Sequence, residues 1–318
     1  MLFCPLDPAD PTDVDRAAAF PADGPVPGIG ADRFRADLVA HRYRPEWTWV
    51  AEDAEGRLLA RALWWGGPED RLPRVLDCLG VAEGVRDPEG VATGLLEAAH
   101  AVHRAAGADR PPLYNLLGLP ADWRERPETA AGVAWRRAAA RRVGLTDEVE
   151  RLRLERPAGA PLPPAPARLS FREASDEEFL AVFKRLAVGT LDVRTRRELA
   201  VEGADAQARA DMRFYLEAPG ERSWWRLAHL PDGTLAGLAV PSRTPYHRNV
   251  GYLGVLPELR GQGLIDEVLA WITRFHAAAE DGPLTATTDT VNTPMAAAFA
   301  RGGYAVSEIR LIMEPAPF

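Results

Sequence analysis

The chain repeats one stretch of its own sequence. WTWVAEDAEGRLLARAL, which begins at Trp47, aligns without a gap with WWRLAHLPDGTLAGLAV, which begins at Trp224. In both copies apolar residues flank a Glu-Gly or Asp-Gly pair, a pattern typical of two β-strands joined by a tight turn. Two such units in a chain of 318 residues predict two copies of one fold rather than a single large domain.

The same order of elements continues after each repeat. Hydrophobic spacing predicts a strand, a helix, a strand, a second helix and a last strand in both halves, so that the order is β-β-β-α-β-α-β twice. The predicted segments include strands 74–81, 113–118, 150–155, 249–256, 284–288 and 307–314 and helices 91–104 and 264–279. Upstream of Trp224 the pattern predicts a strand at 168–172 and helices at 176–186 and 195–202. The fold class predicted is α/β, with a mixed sheet in each copy.

Proline marks the boundary between the halves. Residues 157–167 contain five prolines in eleven positions, and such a density restricts φ, removes amide donors and favours an extended chain. We therefore predict a first domain at 1–156, a linker at 157–167 and a second domain at 168–318.

Composition restricts the class of protein. The net charge of −8 disfavours nucleic acid as a partner. No apolar run is long enough for a membrane helix, and the acidic first residues do not resemble a secretory signal. Cys4 and Cys78 have no partner at metal-site or disulfide-framework spacing. We expect a cytoplasmic protein with free thiols and no metal, acting as a monomer or homodimer away from membranes.

The segment most indicative of function is VLPELRGQGLIDEVL at 255–269. It predicts the end of a strand, a turn with two glycines and the start of a helix. Glycines allow the backbone to approach a ligand closely, and the amides at a helix N-terminus bind anionic oxygens. Arg260 adds a positive charge beside the turn. Together these features predict a site for phosphate groups.

This segment resembles the acetyl-CoA-binding motif of the GNAT superfamily of N-acyltransferases, in which Gln or Arg precedes two spaced small residues. Arg260 and Gly263 match, whereas Ile265 replaces the final small residue. The segment from Asn292 to Tyr304 is similar to the second GNAT motif. The resemblance implies acetyl-CoA as acyl donor. It implies cofactor contacts from Val255, Leu256, Arg260, Gly261, Gln262, Gly263, Leu264, Ile265, Asn292 and Phe299.

The first half resembles the superfamily in topology alone. Its corresponding loop, 84–94, carries Asp87 and Glu89 where phosphates would lie, and like charge would repel coenzyme A. We expect a degenerate GNAT copy without cofactor, in a tandem layout similar to that of the mycothiol synthases.

Catalytic groups are inferred from the same resemblance. Backbone amides around Val255 and Leu256 would hold the thioester carbonyl. The family often places a basic carboxylate on the strand that here contains 247–252, which has none, so Asp289 is the first candidate base and His247 the second. A cap at Asp289 and an exposed loop at His247 are the structural alternatives.

The usual acid is a Tyr at the position of Phe299, so the proton for the thiolate would come from Tyr252, Tyr304 or water.

The function expected is an enzymatic one: acetyl transfer from acetyl-CoA to the primary amine of a small molecule. A non-catalytic acyl-CoA-binding module and protein N-acetylation remain as alternatives. The resemblance implies that the segment after the first strand, here 188–217, selects the acceptor. The mixed charges of this segment do not identify a particular amine.

Overall fold

The structure is a computed structural model that describes residues 1–279 and 282–316. The last two positions of the predicted second domain, 317–318, lie outside the described residues. The chain divides into two compact units. Unit 1 contains Met1–Glu150 and Glu308–Ala316, and unit 2 contains Arg151–Ser307.

Unit 1 is built on a mixed sheet with strand order β1-β2-β3-β4-β5-β12. Its helices and strands are β1 (Leu2–Pro5), α1 (Pro11–Ala18), α2 (Ala31–Val39), β2 (Thr48–Glu52), β3 (Leu58–Trp65), β4 (Val75–Val81), α3 (Pro88–Ala105), β5 (Leu113–Leu119), α4 (Pro127–Arg142) and the greater part of β12 (Ala305–Glu314). The strands are antiparallel neighbours except for β4 and β5, which run parallel.

Unit 2 repeats this arrangement, with strand order β6-β11-β10-β9-β8-β7. Its elements are β6 (Asp147–Arg156, from Arg151 onward), β7 (Ser170–Arg172), α5 (Asp176–Ala187), α6 (Val193–Glu202), α7 (Ala204–Glu217), β8 (Arg226–His229), β9 (Leu235–Arg243), β10 (Arg248–Val255), α8 (Leu264–Ala279), β11 (Leu284–Asp289) and α9 (Thr293–Arg301). Here β10 and β11 are the parallel pair.

The repeated sequence forms the same structure in both units. Trp47 and Trp224 each end a short 3-10 turn before a strand, and Gly56 and Gly233 occupy the hairpin turns with φ of 78° and 87°. The strand register shifts directly after Ala51 in one copy and after Ala228 in the other. The prediction of two copies of one α/β fold is therefore confirmed.

The units do not coincide with continuous halves of the chain. Strand β12 pairs antiparallel with β5, and residues Arg151–Arg156 of β6 pair antiparallel with β11, so each sheet is completed by the last strand of the other half. Both last strands alternate apolar and polar residues, and this pattern does not specify which sheet edge either strand will join. For that reason sequence periodicity predicted each last strand within its own half.

In unit 2 the sheet is covered on both faces. Val268 and Ile272 of α8 lie in one buried cluster, and Phe179 and Phe183 of α5 lie in the other. Adjacent residues of β9 alternate between these clusters, as expected for a strand with two buried faces. The central strands β9 and β10 are therefore packed on both faces, and β10 carries the candidate site.

The proline-rich segment 157–167 forms no helix or strand and is attached to α8. Arg274 donates a hydrogen bond to the carbonyl of Pro163 at 3.0 Å, and Glu267 accepts bonds from the amides of Ala167 and Arg168. Among the described residues, no helix combines the length and apolar character needed to cross a bilayer.

Candidate active site

Strand β10 separates from its parallel neighbour at a bulge. Among the described residues, the pairing of β10 with β11 is confined to Arg248 and Asn249, while pairing with β9 continues to Val255. Between Asn249 and Tyr252, β10 has one more residue than β9. Gly251 makes this bulge possible, because its φ is 73° and a Cβ there would lie 2.0 Å from the carbonyl oxygen of Val240. The bulge leaves one edge of β10 open.

Two backbone amides point into this opening. The amide of Leu256 donates to the carbonyl of Ala236 on the β9 side at 2.9 Å. Because successive amides of an antiparallel strand point in opposite directions, those of Leu253 and Val255 face away from β9. Val255 is therefore placed to hold a carbonyl oxygen, whereas the amide of Leu256 is already engaged and its side chain is fully buried.

The glycine-rich turn follows directly. Gly261 and Gly263 have φ of 77° and 73°, a conformation that favours glycine, and α8 begins at Leu264. No heavy atom lies within 4 Å of the place where a Cβ of Gly261 would stand. The amide of Asp266 donates to the carbonyl of Gly263 at 3.2 Å, and the first amides of the helix, those of Leu264 and Ile265, have no earlier turn to bond with and can donate to an anion. Ile265, which departs from the motif, lies within this first turn and packs partly on the core.

These elements surround a cavity of about 410 Å³. Among the predicted site residues, its walls include Tyr252, Val255, Arg260, Gly261, Gly263, Leu264, Ile265 and Asn292. Asn292 caps α9, where its side chain accepts from the amide of Met295 at 3.4 Å. The structure therefore brings both predicted motifs to one cavity. Gln262 and Leu256 are not among the wall residues.

Other wall residues were not predicted individually, although most of them lie within the segments 188–217, 255–269 and 292–304. They come from the end of α5 and the loop after it, from β10, from the 3-10 turn before α8 and from the start of α9: Leu186, Gly189, Thr190, Leu191, Leu253, Gly254, Leu259, Pro294 and Met295. Leu191 is 43% exposed, and an apolar side chain in a loop beside a predicted ligand site was the available signal.

Arg260 forms hydrogen bonds with two walls of this cavity. Its Nε donates to the carbonyl of Val255 at 3.1 Å, and its Nη1 donates to the carbonyl of Gly189 at 2.8 Å. Arg260 forms no salt bridge within the described residues, so its charge is not neutralised by a carboxylate in contact. Arg168 supports the turn from outside the motif, since its Nη1 donates to the carbonyl of Gln262 at 2.9 Å.

Asp289 is buried and fully engaged. One carboxylate oxygen accepts from Nε of Arg151 at 2.7 Å, and the other accepts from the amide of Val193 at 2.6 Å. Arg151 also bonds Asp192, the cap of α6. Burial lowers the pKa of Arg151, but the charges of Asp192 and Asp289 outweigh it and raise that pKa overall. With both oxygens occupied and 1% of its surface exposed, Asp289 anchors the start of α6, and its role as a base stays a prediction.

The remaining predicted catalytic groups occupy different places. His247 is exposed in the β9–β10 turn, where its amide bonds the Thr244 hydroxyl, and it is not a wall residue of the cavity. Tyr304 is buried and its hydroxyl bonds Thr273 at 2.7 Å; burial raises its pKa to about 12. Phe299 is 1% exposed and lies in the core against Tyr304. Neither core residue reaches the cavity.

Tyr252 is the predicted catalytic residue that lines the cavity. Its ring packs against Phe183 and Tyr215, with centroid distances of 5.2 and 5.6 Å. Burial raises the pKa of Tyr252 well above its usual value, so the hydroxyl keeps its proton near neutral pH. It makes no hydrogen bond within the described part of the chain and is available to a ligand.

Comparison with known proteins gave matches among solved structures alone. Models of protein families and curated protein sequences gave no match. A GCN5-related N-acetyltransferase from Sphaerobacter thermophilus is 17% identical with a TM-score of 0.56, over 99% of this chain and 96% of that one.

A GCN5-related glucosamine N-acetyltransferase region of a fungal multi-domain beta-N-acetylglucosaminidase is 15% identical with a TM-score of 0.54, over 98% of this chain and 38% of that one. A tandem GNAT protein from the clavulanic acid biosynthesis pathway is 19% identical with a TM-score of 0.49, over 100% and 99%. Given its two repeated units, the chain has the GNAT fold, present twice in tandem.

Proposed function

We propose that unit 2 binds acetyl-CoA along the open edge of β10 and transfers the acetyl group to the primary amine of a small molecule. The observation that carries this proposal is the meeting of three features at one cavity: the outward amides of β10, the left-handed glycine turn and the start of α8.

The glycine turn suits the pyrophosphate of coenzyme A. Gly261 leaves space for a ligand, and the first amides of α8 add donors and the positive end of the helix dipole. Arg260 places a positive charge beside the same turn, whereas the charge of Arg168 is paired with Glu267. Within the described residues no carboxylate forms a salt bridge with Arg260, so an anion at this turn would not compete with one for that charge.

The open edge of β10 suits the pantetheine arm and the thioester. Leu253 and Val255 would donate backbone hydrogen bonds to amide or thioester carbonyls, as a neighbouring strand otherwise would. An amide that is fixed before the reaction stabilises negative charge as it develops on the thioester oxygen. Asn292, at the start of α9, would contact the arm from another wall.

A small-molecule acceptor is supported by the shape of the site. The cavity is concave and its walls include several apolar side chains, among them Leu186, Leu191, Leu259 and Met295. Cavities of this kind enclose most of a small ligand. Protein N-acetylation and non-catalytic acyl-CoA binding then become alternative outcomes of the test.

The test is release of coenzyme A from acetyl-CoA by the purified protein against a panel of amines, with peptides as a separate arm. Thiol release above solvent hydrolysis on a small amine supports the proposal. Release on peptides alone would replace it with protein N-acetylation, and binding of acetyl-CoA without release on any amine would leave a binding module.

A further inference from the structure

One wall of the cavity is not used by the cofactor in the proposed function. The glycine turn is assigned to the pyrophosphate, and the edge of β10 and Asn292 are assigned to the pantetheine arm. A further wall is formed by Leu186 at the end of α5 and by residues 189–191 of the loop that follows. Its side chains are two leucines and one threonine, since Gly189 has none. The chemistry of this wall therefore bears on the second substrate, the amine.

This wall contacts the part of β10 that would hold the thioester. A Cβ on Gly254 would lie 2.8 Å from Cδ1 of Leu186, so this leucine contacts the strand at a position without a side chain. Gly254 lies between Leu253 and Val255, whose amides face away from β9. The ring of Tyr252, two residues earlier on the same face of the strand, also packs against α5. An amine that attacks a thioester held at Val255 would therefore approach beside apolar groups.

The loop after α5 is fixed at both ends by hydrogen bonds. At its start the carbonyl of Gly189 accepts from Nη1 of Arg260 at 2.8 Å. At its end the amide of Val193 donates to the carboxylate of Asp289 at 2.6 Å. Leu191 lies between these two attachments, and its side chain is 43% exposed and lines the cavity. A wall that is held in place before a ligand arrives loses little conformational entropy on binding, so its shape and polarity can select among ligands.

The polar side chains of the cavity are few, and most of them are bonded to the protein. Arg260 donates to two backbone carbonyls. The side-chain oxygens of Thr190 and Asn292 each accept from a backbone amide, at 3.2 and 3.4 Å. Among the described wall residues, the Tyr252 hydroxyl is the polar side-chain group without a hydrogen bond, and no side chain is a carboxylate. A ligand with several hydroxyls would lose hydration here without gaining partners, and Arg260 would repel a second cation.

We propose that the acceptor is a monoamine with an apolar, uncharged body, and that Leu186 and Leu191 select it. This inference deepens the proposed function and rests on it. Such a ligand needs a polar partner at its nitrogen alone, and the Tyr252 hydroxyl is available for that contact. In the transfer the nitrogen lone pair forms the C–N bond and the C–S bond breaks. The proton lost by the neutral amine passes to the thiolate, so the products are the amide and coenzyme A.

The first test compares amines in the release of coenzyme A from acetyl-CoA by the full chain. 2-Phenylethylamine represents the proposed class, glucosamine represents amines with several hydroxyls, and lysine represents amines with further charges. The kcat/KM for 2-phenylethylamine should exceed the other two values by about 100-fold or more, because an apolar pocket rejects even one added hydroxyl by about 100-fold. Comparable or higher values for glucosamine or lysine would overturn this inference and leave the proposed function standing. Thiol release on no amine would overturn the proposed function itself.

The second test is Leu191→Asn, which replaces an apolar contact on the wall with an amide. It should raise KM for 2-phenylethylamine by about 10-fold, narrow the preference over glucosamine, and leave kcat and acetyl-CoA affinity unchanged. The matched control is Leu162→Asn, because Leu162 is 45% exposed, also lies outside helices and strands, and is not a wall residue of the cavity. The control should keep the wild-type KM. An unchanged KM and an unchanged preference in Leu191→Asn would overturn the selecting role of this wall.

Discussion

In both units the sheet opens beyond its pair of parallel strands, but the opening is occupied differently in each unit. In unit 1, β4 pairs with β5 at Val75 and Leu76, as β10 pairs with β11 at the corresponding positions in unit 2. Beyond that point Arg136 of α4 donates to the carbonyl of Leu79 at 3.0 Å, so a side chain of the protein fills the opening. In unit 2 the same region is part of a 410 Å³ cavity.

The start of the helix that follows the opening also differs between the two units. In unit 1, Asp87 caps α3 by accepting from the amide of Gly90 at 2.8 Å, and Glu89 of the first turn pairs with Arg142. In unit 2 the equivalent place is taken by Gly263, which has no side chain. Unit 1 satisfies these backbone groups internally, and we expect unit 2 to present them to a ligand. The absence of acetyl-CoA from unit 1 remains a prediction.

The largest effect should come from Asp289→Asn, which breaks the bond network that positions α6. Removing the charge of one partner of a buried ion pair leaves Arg151 with Asp192 as its remaining carboxylate partner, and it should lower the free energy of unfolding by about 3 kcal/mol. Urea denaturation measures this, with Asp232→Asn in the exposed β8–β9 turn as control. A large loss of turnover without loss of stability would instead make Asp289 a catalytic base.

Next in size is Gly263→Asp, which gives unit 2 the acidic residue that unit 1 has before its helix. The added charge and the strained φ should weaken acetyl-CoA binding by roughly 100-fold or more, on the scale of a lost hydrogen bond to a charged group. The control is Gly233→Asp, because that glycine also has a positive φ but lies in a remote turn. Calorimetry should show that the control still binds acetyl-CoA. If both variants still bind it, the pyrophosphate does not bind at the turn that contains Gly263.

Arg260→Ala should have a smaller effect. It removes the bonds to Val255 and Gly189 and one positive charge, so acetyl-CoA affinity should fall by about 1–2 kcal/mol. Arg185→Ala is the matched control, since Arg185 is exposed and bonds Glu258 beside the same turn. Equal affinities of the two variants would contradict a specific role for Arg260.

The smallest change in binding is expected from Arg136→Met in unit 1. It should cost about 1–3 kcal/mol of stability, because the carbonyl of Leu79 loses a donor, but it should create no second site. Calorimetry should give one acetyl-CoA per chain for the wild type and for the variant. Two equivalents in the variant would show that Arg136 alone keeps unit 1 from binding.

Local patterns predicted what depends on local sequence. The hairpin repeat, helix α8 and the glycine turn follow from spacing and from residues such as Gly261, and the structure has them where they were expected. The surroundings of Asp289 and Phe299 were not predictable in this way. Asp289 is engaged by Arg151, which lies 138 residues away, and Phe299 is buried by packing that periodicity does not specify.

The exchanged last strands have a consequence for how the protein forms during synthesis. Residues 1–150 emerge from the ribosome long before 308–314, yet the edge of β5 is covered by β12. Until then this edge presents unpaired amides and carbonyls, which attract other strands. The nascent chain must therefore keep an incomplete sheet from pairing wrongly while more than 150 further residues are added, which makes the order of translation part of the folding problem.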